Sequence, residues 1–150
     1  MNIAIIGTGY VGLVTGTCFA EVGHNVICVD CDEAKVKLLQ EGGIPIFEPG
    51  LEEMVKKNVA AGRLNFTAST AEGVEKSDVI FIAVPTPPLE YGSVDLSFIE
   101  RVARDIANAM TSYKVVVDKS TVPVNTGAVS YTHLRAHETD SYLVCRLLLE

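Results

Sequence analysis

Residues Met1–Asp30, MNIAIIGTGYVGLVTGTCFAEVGHNVICVD, restrict the fold of this chain more than any other stretch. Asn2–Ile6 is a short, almost wholly apolar run, the pattern of a strand buried on both faces of a parallel sheet. Gly7, Gly9 and Gly12 follow at GxGxxG spacing. The first permits a tight turn, the second lets backbone approach a pyrophosphate, and the third allows close packing of helix on strand. Val11–Val22 is apolar and free of proline, so it predicts a helix that Gly23 ends. Val26–Val29 predicts a second strand, and Asp30 closes it. Strand, glycine turn, helix, strand and acid in this order predict a βαβ unit that holds a dinucleotide. The helix N-terminus faces the turn, where its dipole stabilises a phosphate by about 0.3–2 kcal/mol.

Asp30 lies about 20 residues beyond the turn, where a carboxylate accepts hydrogen bonds from both ribose hydroxyls. The 2′-phosphate of NADP would stand against it. Repulsion between unit charges about 4 Å apart reaches ~4 kcal/mol at an effective dielectric near 20, and neither Cys31 nor Asp32 supplies a compensating cation. The expected cofactor is therefore NAD.

A chain of 150 residues with 48% hydrophobic content can bury one ordinary core and not two. Its net charge of −7 provides no basic stripe for nucleic acid or for an anionic membrane. No apolar run reaches about 18 residues, and the first helix starts too late and is too glycine-rich for a secretory signal. A soluble cytoplasmic protein is expected. Cys28 and Cys31 spell CxxC, but Cys28 falls within a strand, whereas a redox pair needs a helix N-terminus.

Beyond Asp30, Asp32 caps a predicted helix over Glu33–Glu41 that Gly42 and Gly43 stop. Lys35, on its first turn and close to the ribose end of the cofactor, reads by itself first as an ordinary solvated helix lysine and only second as a cofactor neighbour. A proline-broken loop carrying Phe47 and Glu48 leads to a helix over Pro49–Ala61. Leu64–Ser69 alternates as an edge strand, and Ser69 with Glu72 spells a capping box. Asp78–Val84 is another buried strand, and ligands of open parallel sheets bind beyond the carboxyl ends of strands. Pro85, Thr86, Pro87 and Pro88 occupy that position, so the Thr86 hydroxyl either meets the cofactor or belongs to a structural turn. Leu96–Met110 predicts a helix with Asp95 as cap, and Tyr113–Asp118 a fifth strand that delivers Lys119, Ser120, Thr121 and Pro123 to the same edge. The hydroxyls there suit a nicotinamide or a catalytic water, or else a helix cap. Five strands with intervening helices give an α/β fold, a doubly wound parallel sheet in the order 3-2-1-4-5, with the usual sixth strand unaccounted for.

The segments GTGYVG (Gly7–Gly12), Asp30 with Lys35, IPIFEPGL (Ile44–Leu51), VPTPP (Val84–Pro88) and KSTVPVNTG (Lys119–Gly127) together resemble the N-terminal NAD-binding Rossmann domain of the UDP-glucose/GDP-mannose dehydrogenase family. The resemblance covers Met1–Val129. It implies a cofactor site made of Gly7, Gly9, Tyr10, Val11, Gly12, Asp30, Lys35, Thr86 and Thr121. It also implies oxidation of the C6 alcohol of a nucleotide sugar to a carboxylate by two hydride transfers to two NAD, through a cysteine-bound intermediate. The loop EYGSVDLS (Glu90–Ser97) points, within the family, to UDP-glucose, which is oxidised to UDP-glucuronate. Family members of full length are expected to be homo-oligomers.

The resemblance stops abruptly at about Ser130. The family's cysteine stands in a Gly-Gly-x-Cys segment, and none of Cys18, Cys28, Cys31 or Cys145 has that setting. No catalytic residue is therefore assigned here, Thr121 being at most accessory, and the domain is expected to be C-terminally truncated. His133 and His137 are four apart as in a metalloprotease helix, but Leu134 stands where that motif needs glutamate, so no metal is expected. The segment SYTHLRAHETDSYLVCRLLLE (Ser130–Glu150) resembles the peptide encoded by sequencing-library adapter DNA and is expected to contribute nothing to the fold. Two readings follow: an inactive, NAD-binding piece of a nucleotide-sugar dehydrogenase, or a stand-alone NAD-sensing module. Within the first, GDP-mannose and UDP-N-acetylhexosamine stay open as alternative substrates.

Overall fold

A computed structural model describes residues 1–90 and 94–120, with the backbone of 146–149. Strand β1 (Asn2–Ile6) leads into helix α1 (Tyr10–Glu21), β2 (Asn25–Val29), α2 (Glu33–Gln40), α3 (Leu51–Ala60) and β3 (Leu64–Thr67). Helix α4 (Thr70–Glu75), β4 (Val79–Ile82), α5 (Ser97–Ala109), β5 (Val115–Asp118) and β6 (Arg146–Leu149) follow. The strands form one parallel sheet in the order β3-β2-β1-β4-β5-β6. The chain runs outward from β1 through β2 to β3, then returns to β4 on the other side of β1. That reversal opens a crevice beyond the carboxyl ends of β1 and β4, where open α/β sheets take their ligands.

Alternate residues along each strand feed opposite faces of the sheet. Ile3, Ile5, Val26, Cys28, Leu64 and Phe66 pack with residues of α1, α2 and α3, among them Leu13, Leu39 and Val55. Ala4, Ile6, Ile80, Ile82 and Val116 pack with Val74 of α4 and Ala103 and Ile106 of α5. Burial on both faces is why the strands read as continuous apolar runs. Helix α1 approaches β1 and β2 so closely that a Cβ on Gly16 would lie 2.7 Å from Cys28 Sγ. Gly23, at φ +102°, ends α1 as expected.

The structure trims several sequence-based expectations. Helix α3 starts two residues later than Pro49, because Gly50 takes φ +80° at its N-cap. Leu96 is the N-cap of α5, and Asp95, one residue earlier, accepts from the Ser97 N–H at 2.9 Å. Only half of the capping box forms. Ser69 accepts from the Glu72 N–H at 3.2 Å, but the Glu72 carboxylate turns to the Thr67 hydroxyl at 2.5 Å.

The largest difference is the sixth strand. Residues 130–150 were expected to contribute nothing to the fold; the backbone of Arg146–Leu149 pairs in parallel with β5, Val115 opposite Arg146 and Asp118 opposite Leu149. The physical reason is the open edge of β5, whose unpaired N–H and C=O groups accept an added strand, next to an apolar Leu147–Leu149 run in the same chain.

Candidate functional site

The glycine turn is built by close approach. Gly7 adopts φ +104°, donates its N–H to the Val29 carbonyl at 2.7 Å, and passes so near the segment after β4 that a Cβ would sit 2.5 Å from the Ala83 oxygen. A Cβ on Gly12 would come within 1.9 Å of the Gly7 oxygen, so the third glycine lets the turn fold over the first turn of α1. The same methyl would lie 3.3 Å from Ala83 Cβ, just beyond β4, and Gly16 extends this close helix-to-strand approach along α1. Gly9 differs from both: a Cβ there would meet nothing within 4 Å.

Gly9 is also the N-cap of α1 and offers no capping side chain; the Leu13 N–H, bonded to the Gly9 carbonyl at 2.9 Å, makes the first helical bond. The first N–H groups of a helix have no partner within it. Here no side chain caps them, a Cβ on the N-cap residue Gly9 would meet nothing within 4 Å, and no acidic residue lies in the first turn. This cradle fits a dinucleotide pyrophosphate, which brings negative charge and acceptor oxygens to a helix N-terminus without a capping side chain.

At the end of β2, Asp30 is 8% exposed and holds four donors. Its Oδ2 accepts the Thr8 N–H at 2.9 Å, the Thr8 hydroxyl at 2.6 Å and the Lys35 ammonium at 3.0 Å; its Oδ1 accepts the Asp32 N–H at 3.1 Å. Burial raises the Asp30 pKa, but the Thr8 hydroxyl, the two backbone N–H groups and Lys35 together outweigh it, so the carboxyl lies below its ordinary range. Lys35 reaches back because Asp32 caps α2, accepting from the N–H groups of Ala34 and Lys35 at 3.0 and 3.1 Å, which turns the first helical turn toward Asp30. Sequence reasoning gave Thr8 no role; its hydroxyl between two glycines, beside a strand-ending acid, was the available signal.

Tyr10 and Val11, on the first turn of α1, are both exposed. The Tyr10 hydroxyl donates to Glu48 Oε2, in the loop before α3, and that bond raises the tyrosine pKa. Glu48 is thus brought to the glycine turn, which its place in the sequence did not reveal. Thr86, half-buried, lies in the segment after β4, where the Asp95 N–H bonds the Pro87 carbonyl at 2.9 Å and Pro88 bridges Val94. The Ser120 hydroxyl donates to the Val84 carbonyl at 3.0 Å and so ties the end of β5 to that of β4. Thr121, His133 and His137 lie outside the described residues.

Among the described residues, Asp118 is the other buried acid. Its Oδ1 accepts the Ser120 N–H at 3.0 Å while Oδ2 has no partner, and burial raises its pKa despite those Ser120 bonds. Burial also pushes the Cys28 thiol up to about 12, whereas Cys31 is exposed. Among the described residues no group of three or more His, Cys, Asp or Glu side chains is placed to hold a metal, and no helix is long and apolar enough to cross a membrane.

A family model described as "UDP-glucose/GDP-mannose dehydrogenase family, NAD binding domain" matches residues 1–146. The chain is 53% identical to UDP-glucose 6-dehydrogenase TuaD of Bacillus subtilis over 126 residues, which make up 84% of this chain and 27% of the relative. It is 56% identical to UDP-glucose 6-dehydrogenase of Rhizobium meliloti over 128 residues, 85% of this chain and 29% of the relative. The crystal structure of a ternary complex of GDP-mannose dehydrogenase from Pseudomonas aeruginosa superimposes with a TM-score of 0.91 at 36% identity, covering 100% of this chain and 36% of that one. The chain thus spans less than a third of the length of these curated relatives. A glycine turn open above Gly9, an acid held at the end of β2 and a match across nearly all 150 residues agree: the chain belongs to the UDP-glucose/GDP-mannose dehydrogenase family and carries its NAD binding domain.

Proposed function

We propose that this chain supplies the cofactor half of a nucleotide-sugar 6-dehydrogenase, and that the sugar nucleotide is UDP-glucose. The observation that carries the cofactor reading is the uncapped N-terminus of α1 behind the open space at Gly9. Support for the substrate comes from identities of 53% and 56% to proteins named UDP-glucose 6-dehydrogenase, against 39% to a GDP-mannose 6-dehydrogenase of Pseudomonas syringae. Bound NAD supplies a two-electron hydride acceptor. Gly7, Gly9 and Gly12, with the amides of Tyr10 and Val11, hold the pyrophosphate; Asp30 and Lys35 hold the adenosine ribose; Thr86 and Thr121 serve the nicotinamide end. Full-length proteins of this kind act as homo-oligomers in the cytoplasm.

The chain binds NAD and does not turn over UDP-glucose by itself. Much of the rate of such a transfer comes from holding the reacting carbon in place, with effective molarities that reach about 10⁵ M or more. The second oxidation needs an activated thiolate to capture the aldehyde. Cys28 is buried with its pKa pushed up to about 12, and Cys31 follows Asp30 at the adenosine end. Residues Ser130–Glu150 are read as foreign to the family from their own sequence; the pairwise matches extend over 126 to 128 residues, whereas the family model runs on to residue 146. Titration calorimetry with NAD, followed by a cyclical assay with NAD and UDP-glucose, tests the proposal. Micromolar binding without NADH formation is expected; steady turnover that vanishes on Cys31→Ser would refute it.

A further inference from the structure

The carboxylate of Asp30 offers about four acceptor positions, two on each oxygen. Three donors crowd onto Oδ2, two of them from Thr8, and one reaches Oδ1. Only Oδ1 keeps a free position. The expectation that this acid accepts from both ribose hydroxyls therefore meets an oxygen that the protein has already filled. Thr8 itself is fully buried, so no solvent competes for its hydroxyl, and Gly7 anchors the same turn to β2 through the Val29 carbonyl.

We propose that Thr8 is a positioning residue of the adenosine site: it pins Oδ2 of Asp30 to the glycine turn, leaving Oδ1 to accept one ribose hydroxyl and the Lys35 ammonium to meet the other. This rests on the NAD-site reading above. Thr8 belongs at once to the turn that receives the pyrophosphate and to the grip on the ribose acid, so it couples the two ends of the adenosine diphosphate site. A residue with the same shape but no hydroxyl would keep the turn and its backbone N–H bond to Oδ2 while removing the 2.6 Å hydroxyl bond.

The charged groups around Asp30 are Lys35 on α2, Asp32 at the cap of that helix and, across β3, Glu72, which holds the Thr67 hydroxyl while the Thr67 carbonyl accepts the Asp30 N–H at 3.2 Å. Substituting Thr8 changes none of them. The test uses the full chain as wild type, Thr8→Val and Thr8→Ser. Carboxyl carbon NMR follows the titration of Asp30 without NAD, and calorimetry measures NAD affinity at neutral pH. The Asp30 midpoint is expected to move upward in Thr8→Val and to return in Thr8→Ser. NAD affinity is expected to fall about tenfold in the first and to recover within about twofold in the second, the effect of one hydrogen bond to a charged group. If Thr8→Val does not fold, Thr8→Ala, which also lacks the hydroxyl, takes its place with the same expectations. An unmoved midpoint, or wild-type NAD affinity without the hydroxyl, overturns the proposal and leaves the NAD reading standing. Failure of the wild type to bind NAD overturns the reading beneath it.

Discussion

Replacing Gly9 by alanine separates what the glycine turn does for the fold from what it does for the cofactor. Gly9 has φ −69° and ψ −170°, a conformation open to any residue, and its added methyl would meet no atom within 4 Å. Loss of backbone freedom in the unfolded chain should stabilise the variant by about 0.4–1 kcal/mol. Alanine is a poorer N-cap than glycine by a similar amount, about 0.5–1 kcal/mol, so the two effects nearly cancel. The thermal midpoint should stay within about 3 °C of the wild type, since ~1 kcal/mol corresponds to 2–4 °C in a chain of this size. A methyl in the path of a pyrophosphate costs about 1–3 kcal/mol of displaced contact, or roughly 5- to 150-fold in affinity for NAD. Gly12→Ala is the contrasting variant. Its methyl would stand 1.9 Å from the Gly7 oxygen, a backbone atom that cannot swing aside, and should cost about 3 kcal/mol of folding stability, the upper end for overpacking. Calorimetric titration and thermal melts of both proteins check this. Unchanged NAD affinity in a folded Gly9→Ala protein would show that the pyrophosphate does not cross the open space at Gly9, and a large fall in its midpoint would show that the space is not open.

Lys35→Met removes the ammonium 3.0 Å from Asp30, so NADP affinity should fall more than NAD affinity; an unchanged ratio in competition titrations would mean that Lys35 does not face the ribose 2′ position. Asp118, with its raised pKa, holds a proton in the folded chain above the ordinary range near 3.9, so stability declines as pH rises through the interval up to its folded value. Asp118→Asn should therefore raise the thermal midpoint at pH 7 and leave it nearly unchanged below pH ~4, and equal shifts at both would contradict the buried charge. Deleting residues 130–150 should leave the midpoint unchanged or raised, because the described part of that stretch is one short parallel pairing at β5, set against about 1–2 kcal/mol of conformational entropy for each residue fixed. A drop of several degrees would make β6 integral to the sheet.

What the sequence disclosed about this site follows the distance between cooperating residues. The glycine turn, α1, β2 and Asp30 form one βαβ unit, where local pattern decides the structure, and their bounds were right to within a residue or two. Lys35 was ambiguous until the structure brought its ammonium to Asp30, five residues away across the cap of α2. The Tyr10–Glu48 bond spans 38 residues and depends on how separate elements dock, whereas the Thr8–Asp30 bond, 22 residues apart, closes the same βαβ unit and its signal went unread. The sixth strand was missed because edge pairing asks only for a short apolar run beside an open strand, a pattern without position. Asp118 is another case where a legible signal went unused. It lies two residues after Val116 on β5, so the period of a strand puts both side chains on one face, and the complete burial of Val116 against α4 and α5 carries the acid inward with it. A strand that ends in an acid on its buried parity therefore predicts a carboxyl with a raised pKa at the ligand edge of the sheet, whereas Asp30 escapes that outcome because Thr8, Asp32 and Lys35 bring four donors to it.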